Sequence, residues 1–170
     1  MLSNGTGLRT RTWIHDDQGK PTRETESHWY HVKVINLFRA SPAHETRVML
    51  LQADVLNASG LPKTRWSGAI QLSWRDIPDP SPRTVGPEVE ADLVKVLKEK
   101  WIALNPTWLP AALQSHSREA MRWRLTLQAQ SVKVESEPLQ VLITWDGGWA
   151  DDEKMMGDHL GISVVESGSK

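Results

Sequence analysis

Two alternating segments late in the chain constrain the fold more than any other feature. In MRWRLTLQAQ, residues 121–130, apolar side chains at odd positions alternate with Arg, Thr and Gln. In LQVLITW, residues 139–145, apolar side chains again occupy every second position. A period of two is typical of a strand with one face in a core and one in water. Two such strands around a polar turn at Glu135–Pro138 predict an antiparallel ribbon, with Trp123 and Trp145 buried.

Similar segments precede this ribbon. Residues 28–36 (HWYHVKVIN) predict a strand, and residues 46–56 (TRVMLLQADVL) predict a central one, because their middle is apolar on both faces. Residues 70–74 predict a third strand. In EVEADLVKVL, residues 88–97, the apolar residues change from odd to even positions near Leu93. This change predicts a β-bulge, with a short helix as the alternative.

Turn-forming residues separate these strands. Residues 8–14 predict a short, weakly alternating first strand, and residues 15–26 predict a polar loop. We expect residues 57–63 to form a turn. Four prolines exclude residues 77–87 from a central strand and predict a long crossover between sheets. Residues 101–116 predict an irregular loop.

The C-terminal segment predicts a strap that closes one sheet edge. It combines a turn at Asp146–Gly148, one or two helical turns within residues 151–159 and a short edge strand near residues 162–165. An uncovered edge invites pairing with other chains, so a cover of this kind is expected. Four apolar residues are available to hold the short helix against the core, namely Trp149, Met155, Met156 and Leu160.

Short strands without any long periodic helix predict an all-β protein. We expect a two-sheet antiparallel immunoglobulin-like β-sandwich with a Pro-rich crossover and a short C-terminal helix. At 170 residues the chain is expected to form a single domain, residues 1–170, with its core at about residues 28–166.

The strand pattern also resembles a known group of proteins. YHVKVIN, a short gap with a proline, and TRVMLLQADV are similar to the opening strands of bacterial adhesion-type and CARDB-like sandwich domains. LITWDGGWADDEKMMGDHLGI is similar to the ends of uncharacterised bacterial proteins with such a sandwich. The resemblance covers most of residues 29–165 and implies a fold rather than an activity, because this architecture has many functions.

Composition excludes several functional classes. With 20 basic and 21 acidic residues, no global field favours nucleic acid or an anionic membrane. The chain has no Cys, which excludes disulfides and thiolate chemistry. Neither a signal-peptide core nor 18 consecutive apolar residues occurs, so we expect a soluble, cytoplasmic protein.

Three groups of residues carry conceivable catalytic or metal chemistry. His28 and His31 have the HxxH spacing of a helical metal site, but on a strand residues three apart point to opposite faces. His15-Asp16-Asp17 lies in a predicted loop and reads as a solvated turn. Ser115-His116-Ser117 offers a nucleophile beside a base, but no GxSxG motif supplies triad geometry. We therefore expect no enzyme activity, no cofactor and no metal.

An acidic cluster in the predicted strap leaves calcium binding as an alternative. Its residues do not follow the spacing of an EF-hand loop. Acidic residues also favour the first turn of a helix, which explains the run from Asp151 to Glu153 without a metal. The cluster comprises Asp146, Asp151, Asp152, Glu153 and Asp158, with His159 beside them.

The expected function is binding through protein–protein contact, either to the same protein or to another component. The chain has nine Trp against one Tyr and one Phe, and exposed aromatics in loops often anchor interfaces. The alternative is a carbohydrate- or small-ligand-binding sandwich that stacks its ligand on the same tryptophans. Loop tryptophans and two outward arginines form the candidate interface: Trp66, Trp101, Trp108, Trp149, Arg122 and Arg124.

Overall fold

The structure, a computed structural model, shows ten strands and one short α-helix in the part of the chain it describes. That part comprises residues 7–15, 18, 20–38, 40–75, 77, 81–99, 101–104, 110–113 and 119–165. In chain order the elements are β1 (Leu8–His15), β2 (Pro21–Ile35), β3 (Ala43–Leu56), β4 (Pro62–Gln71), β5 (Arg83–Val85), β6 (Glu88–Leu97), β7 (Trp101–Leu104), the 3-10 helix Ala111–Leu113, β8 (Met121–Gln130), β9 (Leu139–Trp145), α1 (Glu153–Met156) and β10 (Leu160–Val165).

The strands form two antiparallel sheets. The first has the order β1-β2-β6-β7, and the second has the order β10-β9-β8-β3-β4, with β5 paired to β3. Strands β1, β2 and β6 follow the A–B–E order of an immunoglobulin-like sandwich, and β3, β8 and β9 follow its C–F–G order. The predicted all-β immunoglobulin-like sandwich is confirmed, and β7 and β10 extend its two sheets.

One apolar core lies between the sheets. Tyr30, Val94 and Ile102 of the first sheet and Leu50, Leu125 and Ile143 of the second belong to a single buried cluster. Trp123 and Trp145 belong to the same cluster and lie on neighbouring strands, as the alternation predicted. The core therefore consists of the side chains on the inward-facing side of each strand, the arrangement that an alternating sequence favours.

Several local predictions are confirmed. The bulge lies where the parity changes, because Tyr30 pairs with Val94 and His31 pairs with Asp92, so that Leu93 has no partner on β2. Strand β3 lies between β8 and β4, as expected for a segment apolar on both faces. The short helix and the final edge strand are also present, and the Pro-rich segment connects the second sheet to the first.

Three predicted connections are wrong. Residues 21–26 are strand rather than loop, because the first half of β2 pairs with β1 and Pro21 stands at the first strand position, where its missing N–H costs least. Strand β4 is Pro62–Gln71, so the turn that precedes it ends at Leu61, two residues earlier than predicted, and the third strand predicted at residues 70–74 begins eight residues earlier and ends three residues earlier. Residues 101–104 form β7 rather than an irregular loop, since they extend the first sheet beside β6.

Candidate binding cleft and the predicted site residues

Two connections meet at one end of the sandwich and enclose a cleft. Strand β2 ends and β3 begins at this end, and β8 ends and β9 begins there, so residues 36–38 and 41–44 lie close to residues 129–136. The cleft between them has a volume of about 540 Å³. Strand β5 contributes Val85 to its wall. We call this region the loop-end cleft.

Exposed apolar side chains concentrate at the loop-end cleft. In the described part of the chain nine large apolar residues are exposed, and five of them line this cleft. Leu37 is 84% exposed and Phe38 is 72% exposed, although both are the kind of residue that normally joins a core. Contiguous apolar surface of this kind marks an interaction site more often than scattered single residues do. The five are Ile35, Leu37, Phe38, Val132 and Val134.

Hydrogen bonds hold the first loop of the cleft in one shape. Asn36 donates its side-chain N–H to the Ser41 carbonyl at 2.7 Å, and its side-chain oxygen accepts from the Phe38 amide at 3.0 Å. The Ser41 amide in turn donates to the Phe38 carbonyl. The Asn36 side chain thus closes the loop, and Leu37 and Phe38 are displayed on a fixed backbone.

The second loop is held in the same way by two serines. Ser131 and Val134 exchange backbone and hydroxyl hydrogen bonds, and the Val132 amide donates to the His44 carbonyl on β3. The Ser136 hydroxyl accepts from the Ala129 amide at 3.0 Å, which anchors the far side of the loop to β8. Val132 and Val134 are therefore presented on an ordered turn.

A strained backbone position lies beside the cleft. Glu45 has a φ of 50°, a left-handed value that is uncommon for a residue other than Gly or Asn. It falls within the register shift between Ala43 and Thr46, where β5 pairs with β3. Such strain of about 1–3 kcal/mol persists only where surrounding structure imposes it, and it is concentrated at binding and switch sites.

The cleft has little charge and few aromatic residues. Among the described residues that line it, Lys133 has the single formal charge and Phe38 is the single aromatic residue. The polar groups at its rim are hydroxyls, amides and the imidazole of His44, which lies 3.3 Å from the Thr84 hydroxyl. This surface suits an apolar ligand with a few hydrogen-bonding groups rather than an anionic one.

The predicted tryptophans do not form this site. Trp66 lies in β4 rather than in a loop, and Trp101 begins β7, so the prediction that both lie in loops is wrong. Each is half-buried within its sheet. Trp149 does lie in a connection, but its ring packs on His28 at 4.7 Å and its Nε1–H donates to Asp151. Trp108 lies outside the described residues.

The two arginines also have separate surroundings. Arg124 pairs with buried Asp54 at 2.8 Å, which ties β8 to β3. Burial opposes ionisation of Asp54, but hydrogen bonds from Gln52, Arg124 and Thr64 outweigh burial and keep its pKa below the ordinary value. Arg122 is exposed and lines a second cavity at the other end of the sandwich. The described tryptophans and the two arginines of the predicted interface therefore do not share one surface.

The HxxH histidines have different partners. His28 donates from Nε2 to the Ala150 carbonyl at 2.9 Å, whereas Nε2 of His31 lies 3.2 Å from a carboxylate oxygen of Asp92. Both are buried inside β2 rather than at one of its ends. Desolvation lowers the pKa of His28 and outweighs the hydrogen bond to Ala150.

No metal cluster is found among the described residues, where no three His, Asp or Glu side chains converge. The His15-Asp16-Asp17 and Ser115-His116-Ser117 motifs cannot be compared with this finding, since Asp16, Asp17 and residues 115–117 lie outside the described residues and the His15 side chain is likewise not described.

The acidic cluster serves as a set of local structural contacts. Asp152 is the N-cap of α1 and accepts from the Met155 amide at 3.0 Å, and Glu153 lies in the first turn, as the first-turn argument predicted. Asp151 pairs with Lys98, and Asp146 pairs with Nδ1 of His159 at 2.9 Å. The hydrogen bond from His159 lowers the pKa of Asp146. Asp146, Asp151, Asp152 and Glu153 thus bond to separate partners.

The C-terminal segment, residues 146–165, forms the predicted strap, in which β10 pairs with the edge of β9 and residues 146–159 lie at the end of the sandwich opposite the loop-end cleft. Met156 and Leu160 are fully buried, as predicted, but Met155 is exposed and does not contribute to the packing. The strap borders the second cavity, of about 590 Å³, whose walls include Arg122, Asp158 and His159. In the described residues no helix is long and apolar enough to cross a membrane.

Sequence patterns missed the loop-end cleft because its residues fall between strands. The signal that could have revealed it is the apolar pair Leu37-Phe38 in a predicted connection, together with the valines that flank Lys133 just before the predicted polar turn. Neither pair occupies core-facing positions of a predicted strand. Their proximity requires both loops to emerge at the same end.

The fold and the cleft together define an immunoglobulin-like β-sandwich protein with an apolar cleft between two end loops. Comparison with protein-family models, with curated proteins and with solved structures finds no match to this chain. The resemblance to adhesion-type and CARDB-like domains therefore stays a prediction.

Proposed function

We propose that this protein is a non-enzymatic binding module that takes an extended apolar segment of a partner protein into the loop-end cleft. The observation that carries the proposal is the collection of five exposed large apolar residues around one cavity. An isolated exposed apolar residue needs no explanation. A group of exposed apolar side chains around a concave surface has a free-energy cost in water, and burial against a partner would remove that cost.

The dimensions and chemistry of the cleft favour a peptide segment. A volume of about 540 Å³ accommodates a few side chains rather than a whole domain surface. The rim offers backbone groups and the side-chain oxygen of Gln130, whose amide nitrogen donates to Gln128, and these can bond to a peptide backbone. Immunoglobulin-like domains of antibodies use the corresponding B–C and F–G loops for recognition, and by analogy this end is suited to the same use.

Preorganisation supports the proposal as well. Side-chain to backbone hydrogen bonds fix both loops before any ligand arrives. A fixed site avoids the ordering entropy that a flexible loop would lose on binding, so a small apolar contact suffices for useful affinity. Leu37 and Phe38 then act as the central apolar contacts, with the two valines opposite them.

The carbohydrate alternative receives less support. Sugar recognition on a stacking platform would need aromatic faces that are exposed together, and Trp66, Trp101 and Trp149 are half-buried on separate elements. The loop-end cleft contributes Phe38 alone among its described aromatics. We retain a sugar as an outcome of the test rather than as the proposed ligand.

The test measures binding of random peptides displayed on phage to the full chain and to matched variants. We expect the selected peptides to be rich in large apolar residues and to lose binding at least tenfold with Phe38→Asp or Val134→Asp. Leu61→Asp is the control, because the exposure of Leu61 lies between that of Val134 and that of Phe38, but Leu61 lies at the opposite end, between β3 and β4.

Two results would contradict the proposal. One is peptide binding that Phe38→Asp leaves unchanged, which would place recognition elsewhere. The other is a failure to select any peptide while a glycan array binds in a manner sensitive to Trp149→Ala, which would favour the carbohydrate alternative.

A further inference from the structure

The lysines of the first sheet differ in the partners of their ammonium groups. Lys33 of β2 pairs with Glu88 at 3.0 Å. Lys98, which follows β6, pairs with Glu26 at 2.6 Å. The side chain of Lys95, on β6, forms no ion pair and no hydrogen bond with any described residue. An ammonium group that leaves water without gaining an acceptor has a high free energy, so the surroundings of Lys95 decide its chemistry.

The Lys95 side chain lies on the outer face of the first sheet, against an indole ring. Tyr30 and Val94 pair with each other and belong to the core, so the adjacent pair of Trp29 and Lys95 faces the opposite way. Nζ of Lys95 lies 4.9 Å from the centroid of the Trp29 ring. Both residues are partly buried. The ammonium group is therefore held against an apolar surface and has lost part of its water.

The carboxylate that acts on Lys95 is bound to another residue. Nε2 of His31 lies 3.2 Å from Oδ1 of Asp92. Asp92 therefore influences Lys95 through its charge and without an ion pair. The Trp29 ring attracts the ammonium group as well, but a ring replaces only part of the hydration of a compact, strongly hydrated cation.

We propose that Lys95 is a nucleophilic lysine that takes an acyl group from a thioester in preference to the other described lysines. The uncharged amine of Lys95 attacks the carbonyl carbon of the thioester. A C–N bond forms and the C–S bond breaks, so that an amide and a thiolate result. The proton that the amine nitrogen loses passes through water to the thiolate, which leaves as a thiol. The thioester is the single co-reactant.

The protonation state of the amine favours Lys95. An amine is nucleophilic only when its lone pair is free of a proton. Desolvation lowers the pKa of Lys95 and outweighs the charge of Asp92, so a larger fraction of this amine is uncharged near neutral pH. At Lys98 the hydrogen bond to Glu26 raises the pKa instead, which holds that amine in its unreactive form.

Access and product also fit the site. Nζ of Lys95 is not among the enclosed polar atoms of the described residues, so it stays open to a small reagent. Acylation converts the ammonium group into an uncharged amide, which removes the cost of holding a charge against Trp29. At Lys98 the same reaction would break the ion pairs with Glu26 and Asp151. Lys95 does not line the loop-end cleft, so the reaction is independent of peptide binding there.

Acetylation of the unmodified full chain by a small uncharged thioester, S-acetyl-N-acetylcysteamine, tests the proposal. Peptide mass spectrometry measures the initial rate at each lysine. At about pH 7 we expect Lys95 to react at least about threefold faster than Lys33, Lys98 and Lys133, because more of its amine is uncharged. Lys133 is exposed and represents a lysine in water. A rate at Lys95 that does not exceed the other three would overturn the proposal.

The pH dependence separates the protonation state of the amine from its accessibility. The ratio of the rate at about pH 10 to the rate at about pH 7 cancels accessibility at each lysine, provided that circular dichroism shows the same fold at both values. We expect this ratio to be at least about threefold smaller at Lys95 than at Lys133. Equal ratios would assign the reactivity to accessibility alone and would overturn the proposal.

Two matched variants locate the reactive amine. Lys95→Arg keeps a cation beside Trp29 but removes the amine, since a guanidinium stays protonated. Lys33→Arg makes the same change on the neighbouring strand. We expect the fastest acetylation at about pH 7 to disappear in Lys95→Arg and to persist in Lys33→Arg. Fast acetylation that survives Lys95→Arg, or that is lost in Lys33→Arg, would refute the assignment to Lys95.

Discussion

The two ends of the sandwich are built on opposite principles. At the strap end, Met156 and Leu160 are fully buried and the polar side chains are paired, as His159 is with Asp146. At the loop-end cleft, Leu37 and Phe38 are exposed and the polar side chains are used internally to shape the loops. The two ends have cavities of similar volume, about 590 and 540 Å³, so size does not distinguish them.

The difference separates stability from recognition. Burying apolar surface contributes to the free energy of unfolding, whereas exposing it contributes nothing until a partner arrives. The strap end therefore stabilises the fold, and the loop-end cleft holds unused apolar surface on an ordered backbone. Substitutions at the strap end should therefore change the free energy of unfolding, whereas substitutions at the loop-end cleft should change binding.

The largest expected contrast is in the free energy of unfolding after removal of an apolar side chain. Met156→Ala should lower it by about 2–5 kcal/mol, the range for truncation of a buried large residue. Phe38→Ser should change it by no more than about 0.5 kcal/mol, since Phe38 is exposed. Chemical denaturation measures both. Equal losses would show that the loop-end residues support the core and would remove the contrast.

A smaller contrast concerns two glycines. A Cβ at Gly148 would lie 2.2 Å from Nδ1 of His159, whereas a Cβ at Gly86 would meet no atom within 4 Å. Gly148→Ala should therefore displace His159 and lower the free energy of unfolding by about 1–3 kcal/mol, the usual cost of overpacking. Gly86→Ala, beside β5 near the loop-end cleft, should be close to neutral. A thermal melt of each variant decides the point, and a neutral Gly148→Ala would mean that the strap tolerates movement of the imidazole.

The strained residue beside the cleft should give a smaller gain. Glu45→Asn keeps a polar side chain at an exposed position and places there a residue that adopts positive φ more readily. We expect the free energy of unfolding to rise by about 1 kcal/mol, with Glu45→Ala as a control that relieves no strain. A gain in stability accompanied by weaker peptide binding would link the strain to the shape of the cleft. No gain from Glu45→Asn would show that the backbone there is not strained.

The smallest expected effect depends on pH and concerns the strap end alone. Burial lowers the pKa of His28 in the folded protein, while the unfolded chain titrates near the ordinary value of about 6.5. Below that pH the unfolded chain binds a proton that the folded chain resists, so stability falls on acidification. Above it the group contributes no pH dependence.

A comparison of melting temperatures at pH 7.5 and 5.5 isolates this effect of His28. The melting temperature should fall less in His28→Gln than in the unmodified chain, since Gln can donate to the Ala150 carbonyl but does not titrate. The pKa of Asp146 is lowered, so the stability that Asp146 contributes is lost only at pH values below this range. An identical fall in both proteins would assign the acid sensitivity to other groups.

Strand periodicity determined much of the fold. The alternation in β8 and β9 placed Trp123 and Trp145 in the core, and the parity change at Leu93 located the bulge, because side-chain direction on a strand is local and has a fixed period. The N-cap at Asp152 was predictable for the same reason, since a cap depends on residues within one turn. Polar strand positions such as residues 21–26 were not predictable, because their pairing with β1 rather than their apolar content makes them strand.

The tertiary structure alone decided where binding surface lies. Composition drew attention to tryptophans, but whether an aromatic is exposed depends on which elements pack against it, and Trp149 packs on His28, 121 positions earlier in the chain. The loop-end cleft joins Phe38 to Val134 across 96 positions, a distance over which no local pattern carries information. The sequence by itself determined the alternating strands, their faces and the short helix of the strap, because these depend on near neighbours. Only the pairing of distant strands brought two loops to one end, because that pairing depends on long-range contacts between sheets.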